Sequence, residues 1–347
     1  MDPRVTELQK QAAARSDVIG LAGGLPALEL VPREALARAL ADVTASRDAA
    51  LQYGWAEGHE ALRAWIASRL ATRGAAVEAD RVIVTAGAQQ ALWSAARLLG
   101  GAIAVGDATY AAAIDAFTRA GARVVGAGGD ARYLIPGVAN PHGVELVDRD
   151  EVLASQGPLI VDEAYAELRF DGATPRPLVA DAPDRVWHIG TISKTIAPGL
   201  RVGWMIPPAA HHAAALELKS ASDLQTASVS QAALARLLAT LDYDALVARA
   251  RIAYGARAAA LCEALHRHAP SLRFREPQGG FSIWIETART GDELALLRAA
   301  LDAGVMVDPG FAFCPAPREH IAVRASYSNT SIERLDEAAR RLARVLA

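Results

Sequence analysis

Between Arg81 and Ile206 the chain alternates short apolar or β-branched runs with stretches of helical character. The runs are Arg81–Thr85, Ala102–Val105, Arg123–Gly126, Leu159–Asp162, Val186–Ile189 and Val202–Ile206. Helical patterns follow the first two, through Leu99 and through Ala120. A run without polar alternation has no wet face, so these strands belong in a sheet covered on both sides. Strands that alternate with helices make that sheet mostly parallel. Ligands of such sheets bind at the carboxyl ends of the strands.

Other segments set the organisation. Leu21-Ala-Gly-Gly-Leu-Pro26 reads as a loop. Helices are predicted from Pro32 to about Ala45, with Pro at the start, and over Glu60–Thr72. After Pro208 the pattern turns helical over 211–222 and 227–267, the second as one long helix or two. Leu272–Phe274, Gly280–Glu286 and Ile321–Tyr327 read as strands of a separate, smaller sheet. A closing helix begins at Thr330 or Ser331, where Thr330-x-x-Glu333 fits a capping box. Its buried stripe is Leu335, Ala338, Ala339, Leu342 and Val345. The expected division is a larger unit over 45–240 and a smaller α+β unit from 1–44 and 241–347, the N-terminal arm included.

Composition excludes several function classes. The net charge of −3 leaves no basic footprint for nucleic acid or an anionic membrane. No apolar run is long enough to span a bilayer, and the opening residues lack an apolar signal region. Cys262 and Cys314 form neither a disulfide framework nor a metal spacing. His211-His212 and His266-Arg-His268 lack second ligand pairs, so no metal is expected. A cytoplasmic protein is the plain reading.

Lysine occurs only at Lys10, Lys194 and Lys219, so arginine carries nearly all the positive charge. The two are interchangeable as solvated charges, but not where the chemistry needs an amine that can lose its proton. Schiff-base formation with a carbonyl is the commonest such need. Lys194 sits on the loop leaving the strand at 186–189, and other strand ends deliver complementary groups. Asp162 ends its strand, Asn140 lies just past a short apolar segment at 133–135, and Tyr110 follows 102–105. Gly87-Ala-Gln89 opens a helix.

This set suits pyridoxal phosphate. Lys194 would hold the cofactor as an imine and, once released, serve as a base. Asp162 would face the pyridine nitrogen and keep it protonated. Asn140 and Tyr165 would bond the ring oxygen, and Tyr110 would stack on the ring. Gly87 and the amides of Ala88 and Gln89 would receive the phosphate at the helix start. Thr191 and Ser193 would add hydroxyls, and Arg201 a charged fork. The competing readings are a structural ion pair for Arg201, core packing for Tyr110 and a turn or cap for Asp162.

The chain resembles the fold-type I aminotransferases, near the 2-aminoadipate and kynurenine aminotransferases and the effector domains of MocR-type regulators. The resemblance rests on Leu21–Pro26, Leu51-Gln-Tyr-Gly54, Thr85–Leu92, Asn140-Pro-His-Gly143, Asp162-Glu-Ala-Tyr165, Ser193–Gly203, Pro277–Trp284 and Val323–Ser328. It implies a seven-stranded, mostly parallel sheet flanked by helices, plus the smaller domain. It implies a homodimer in which Tyr53 reaches the cofactor phosphate of the other subunit. Arg324 would grip the substrate α-carboxylate, with Asn140 beside it and Gly24 against the substrate; the competing readings are a pairing across the small sheet for Arg324 and dimer packing alone for Tyr53. The implied reaction passes an amino group from an amino acid through a Lys194 internal aldimine to a 2-oxo acid, 2-oxoglutarate first. A decarboxylase, racemase or lyase would need the same Lys194 and Asp162. A non-catalytic sensor like the MocR effector half is a third reading. Ala108 replaces the usual proline, His142 the usual threonine, and the segment from Gly126 to Asp162 is short. These changes frame one wall of the substrate pocket.

Overall fold

The computed structural model describes residues 2–46 and 49–346. Its main sheet runs in the order Ile83–Thr85, Gly203–Ile206, Val186–Thr191, Leu159–Asp162, Ala131–Leu134, Ala102–Ala104, Arg123–Val125. Gly203–Ile206 is antiparallel to both neighbours, and the other pairings are parallel. Leu159–Asp162 is buried at every position, as its unbroken apolar run requires. The seven-stranded, mostly parallel sheet flanked by helices is the predicted α/β architecture.

Two local readings change and an open one is decided. The segment near 133–135 is a full strand, Ala131–Leu134, inserted between Ala102–Ala104 and Leu159–Asp162. Its Arg132 breaks the apolar run, which hid it. Helix 227–267 is two helices, Ser228–Thr240 and Tyr243–His268, and the Asp242 side chain caps the second by accepting from the Ala245 amide. The closing helix is Ile332–Leu346, and the Thr330 hydroxyl donates to the Gly20 carbonyl outside it. Its stripe from Leu335 to Val345 is buried as predicted.

The small sheet is antiparallel, in the order Asp308–Pro309, Ala322–Ser326, Ser282–Glu286, Arg273–Phe274. Ile283, Ile285, Val323 and Ala325 turn one face to a core shared with Leu261, Leu265, Leu335 and Leu342. Val5, Leu8 and Ala12, from the helix Pro3–Ala13, join that core. Ile19–Gly20 adds a parallel pairing with Val305–Met306.

Arg33–Ala45 belongs elsewhere. Assigned by sequence to the smaller unit, it packs Ala39 and Val43 against a core containing Leu62, Ile66 and Leu234 of the larger one. Val43 is fully buried there, which stabilises the contact by about 1.5–3 kcal/mol. The opposite face of the small sheet carries Ser282, Trp284, Arg324 and Ser326. Arg324 leaves this face to bond Asn140 of the larger unit.

Candidate active site

Lys194 follows Val186–Thr191, and its Nζ donates to the Gly24 carbonyl at 3.3 Å. The ammonium lies 5.4 Å from the Tyr165 ring centre and 5.7 Å from that of Phe281. Burial pushes the amine below its ordinary pKa, helped by Arg324 and Arg201 and opposed by Tyr110 and Asp162.

Asp162 closes Leu159–Asp162 with its carboxylate buried. Oδ1 accepts from the Ala164 amide at 3.0 Å, and Oδ2 from the Tyr133 hydroxyl at 2.9 Å. Burial raises its pKa, opposed by those two donors and by Lys194. Both hydrogen-bond partners are neutral, so a buried carboxylate here still lacks a bonded cation among the described residues. The protonated ring nitrogen of a pyridine cofactor would supply one.

The helix Ala88–Leu99 begins after Gly87, which has φ +86° and no side chain to cap it. The first-turn amides are thus left without an intrahelical or capping partner, which suits a phosphate. A Cβ at Gly87 would collide with the Arg201 guanidinium. Arg201, itself left-handed at φ +52°, donates to the Ala86 carbonyl at 3.0 Å and holds the same rim. The Thr191 hydroxyl donates to the Val202 carbonyl at 2.8 Å and accepts from the Ser193 amide at 3.1 Å.

Tyr110 flanks the start of Ala111–Arg119, and Tyr165 packs edge-on to Phe281 at 5.2 Å. Burial raises both phenols, so both stay protonated donors. One cleft is lined by Lys194, Asp162, Asn140, Tyr110, Tyr165 and Arg201, together with Ala88, Gln89, Thr191 and Ser193. A larger neighbouring cleft shares Ile135 and Asn140 with it, but Arg132 is its one charged side chain. The chemistry therefore belongs to the smaller cleft.

Of the sequence-chosen residues, Tyr53, Arg324, Gly24 and Gly87 do not line this cleft. Tyr53 is 80% exposed, flanked by exposed Leu51 and Trp55, and is not part of the cleft of its own chain. Arg324 is buried on the small sheet, donating to Asn140 Oδ1 at 3.1 Å and to Asp308 Oδ2 at 3.0 and 2.6 Å. Burial lowers the guanidinium pKa, but Asp308, Tyr165 and Tyr110 together outweigh it and the pKa stands raised. Gly24, at φ +57°, lies against Arg324, and a Cβ there would sit 3.5 Å from Nη1.

Sequence reasoning missed Tyr133 and Asp308. Strand pairing would have pointed to both: Ala131–Leu134 adjoins Leu159–Asp162, and Asp308 sits directly opposite Arg324. Among the described residues no group of three or more His, Cys, Asp and Glu could hold a metal, and no helix is long and apolar enough to cross a membrane.

The aminotransferase class I and II family profile matches residues 16–127 and 135–342. The chain belongs to that family. The aminotransferase is 31% identical to a 2-aminoadipate transaminase of Thermus thermophilus over 366 residues, 96% of this chain and 91% of the relative. The kynurenine aminotransferase of Pyrococcus horikoshii, solved with PMP, superposes with a TM-score of 0.91 at 27% identity, covering 99% of this chain and 94% of that one. An uncharacterised HTH-type transcriptional regulator of Bacillus subtilis, YisV, is 28% identical across 96% of this chain and 76% of its own length. Pyridoxal phosphate is the aminotransferase's cofactor, and the donors around Lys194 fit it. The family match breaks over 128–134, a span that takes in the end of the Gly126–Asp130 loop and the strand Ala131–Leu134.

Proposed function

We propose that this aminotransferase moves the amino group of an α-amino acid to 2-oxoglutarate, with Lys194 as cofactor anchor and base. The observation that carries the reading is the convergence on Gly24. Its carbonyl accepts from Lys194 Nζ, while its Cα faces the Arg324 guanidinium. An amine and a guanidinium fork suited to a carboxylate thus both stand beside one glycine, the two groups that an α-amino acid needs.

Pyridoxal phosphate supplies an electrophilic carbonyl carbon and a ring that takes up the electron pair left at the substrate Cα. Lys194 holds it through its amine. Once freed, that amine is the base for the Cα proton, and its lowered pKa favours the neutral form the task needs. Asp162 keeps the ring nitrogen protonated. Asn140 and Tyr165 orient the ring oxygen, and Tyr110 covers one face. Gly87 and the Ala88 and Gln89 amides, with Thr191, Ser193 and Arg201, hold the phosphate. Arg324 binds the α-carboxylate end-on, and Gly24 leaves room for it. The unit over residues 33–240 carries the cofactor, and the unit of 1–32 and 241–347 carries Arg324.

A homodimer completes this reading. Exposed Leu51, Tyr53 and Trp55 form an uncovered aromatic and apolar patch. A second copy covers it, and Tyr53 reaches that copy's cofactor phosphate.

Lys194→Ala is expected to abolish both the visible absorption of the bound cofactor and turnover. An unchanged band would overturn the assignment. Adding an amino acid alone should convert the wild-type cofactor stoichiometrically to its amine form. Steady carbon dioxide release would replace transamination with decarboxylation. A screen of amino donors against 2-oxoglutarate tests the acceptor.

A further inference from the structure

Asp308 faces Arg324 directly across the small antiparallel sheet, and both side chains are buried. One carboxylate oxygen, Oδ2, accepts from Arg324 Nε at 3.0 Å and from Nη2 at 2.6 Å. The same oxygen accepts from the Gly23 amide at 3.0 Å, and Oδ1 accepts from Gln9 Nε2 at 2.7 Å. Asp308 therefore occupies the side-on edge of the guanidinium, the edge made by Nε and Nη2.

A guanidinium has five N–H donors in a fixed plane. Two go to Asp308 and one, from Nη1, goes to Asn140. The donors left over lie on Nη1 and Nη2, the end-on edge. Those bonds fix the plane, and Phe313 packs against it, its ring centre 4.7 Å from the guanidinium carbon, with the Gly24 backbone nearby.

We propose that Asp308 is a positioning residue for the reaction. It commits the side-on edge of Arg324, so that the end-on edge alone receives the substrate α-carboxylate. Through Gln9 and Gly23 it ties that orientation to the N-terminal segment that also supplies Gly24 and the carbonyl facing Lys194. The inference rests on the reading of Arg324 as the α-carboxylate clamp. Asp308 touches neither substrate nor cofactor and acts through Arg324.

Two substitutions separate orientation from charge. Asp308→Asn removes the charge but keeps an oxygen that can accept from Nε and Nη2. Asp308→Glu keeps the charge, leaves the buried cation compensated, and moves the accepting oxygen by one methylene. The measurement is KM and kcat of the amine-form enzyme for 2-oxoglutarate, beside the rate with succinic semialdehyde, the same skeleton without the α-carboxylate. Asp308→Glu is expected to raise KM for 2-oxoglutarate about tenfold, the scale set by one misplaced charge-assisted contact. Its kcat and semialdehyde rate should stay near wild type, and Asp308→Asn should change KM by less than about threefold.

The reverse order, with Asn the more damaging, would make Asp308 a charge compensator and overturn the proposal. So would tighter 2-oxoglutarate binding in Asp308→Asn, which would make the carboxylate a competitor of the substrate. Equal losses on oxo acid and semialdehyde would assign it a structural role only. Arg324→Lys is the control. If it leaves KM for 2-oxoglutarate unchanged, the clamp reading itself falls; if it raises KM while Asp308→Glu does not, only the role of Asp308 falls. Should wild type ignore 2-oxoglutarate, the acceptor assignment fails, and pyruvate against acetaldehyde carries the same comparison.

Discussion

The Tyr133 hydroxyl donates a 2.9 Å hydrogen bond to Oδ2 of Asp162, across adjacent parallel strands of the main sheet. Both groups are buried, so no water competes for the contact. The bond opposes the rise that burial imposes on the Asp162 carboxyl. In the proposed site, a carboxylate held lower would leave the proton on the cofactor nitrogen rather than take it, which would preserve the ring as an electron acceptor.

Tyr133→Phe tests this. It removes the donor while keeping the edge-on packing with Phe117, whose ring centre lies 5.1 Å away. The proton should shift towards Asp162 and kcat should fall by about tenfold or more, the value of one hydrogen bond to a charged acceptor. KM for the amino acid should hardly move, because Tyr133 lies behind Asp162 and away from Arg324. Steady-state kinetics decide the matter, and an unchanged kcat would remove Tyr133 from any role in tuning Asp162.

Gly87→Ala addresses the phosphate cradle. At φ +86° and ψ 169° the backbone occupies a region that is essentially glycine-only and costs other residues about 1–3 kcal/mol. The added Cβ also meets the Arg201 guanidinium, which must leave the rim. Cofactor affinity should fall by about tenfold or more, corresponding to the lower part of that cost. Titration of the cofactor-free protein with pyridoxal phosphate measures it. Undiminished affinity would show that the helix start does not hold the phosphate.

The residues easiest to read in sequence were those that follow short, mostly apolar runs. Asp162 and Lys194 stand at the carboxyl ends of strands that are apolar without alternation, and a parallel sheet delivers such ends to one edge. Lysine scarcity then set Lys194 apart. Tyr133 was hidden because Ala131–Leu134 is short and interrupted by Arg132. Asp308 was hidden for a different reason. It lies in a two-residue strand, and its importance comes only from sitting opposite Arg324. The helix Arg33–Ala45 was correctly periodic, but periodicity gives a buried face without naming the core that buries it. Tyr53 is legible by motif, and its own chain leaves it exposed.

Behind Asp162, His188 gives the fold an acid-sensitive point. It is buried in Val186–Thr191, and neither ring nitrogen has a hydrogen-bond partner among the described residues. Glu163 Oε1 stands 3.7 Å from Nδ1, while Glu163 Oε2 is taken by Arg73 Nη2 at 2.5 Å. Burial lowers the His188 pKa, Glu163 opposes this, and Arg73 adds to it. The folded value therefore lies below that of the unfolded chain, about 6.5. As pH falls through that value the unfolded chain takes up the proton first, so stability is lost on the acid side and unaffected above. The loss can reach about 1.4 kcal/mol per pH unit from this one group. His188→Leu should remove that share. Urea unfolding at pH 7.5 and pH 5.5 should show a smaller drop between the two for the variant than for wild type, whatever the variant's absolute stability. Equal drops would mean that His188 is protonated in the folded protein, paired with Glu163, and that charge pairing rather than burial governs the cluster.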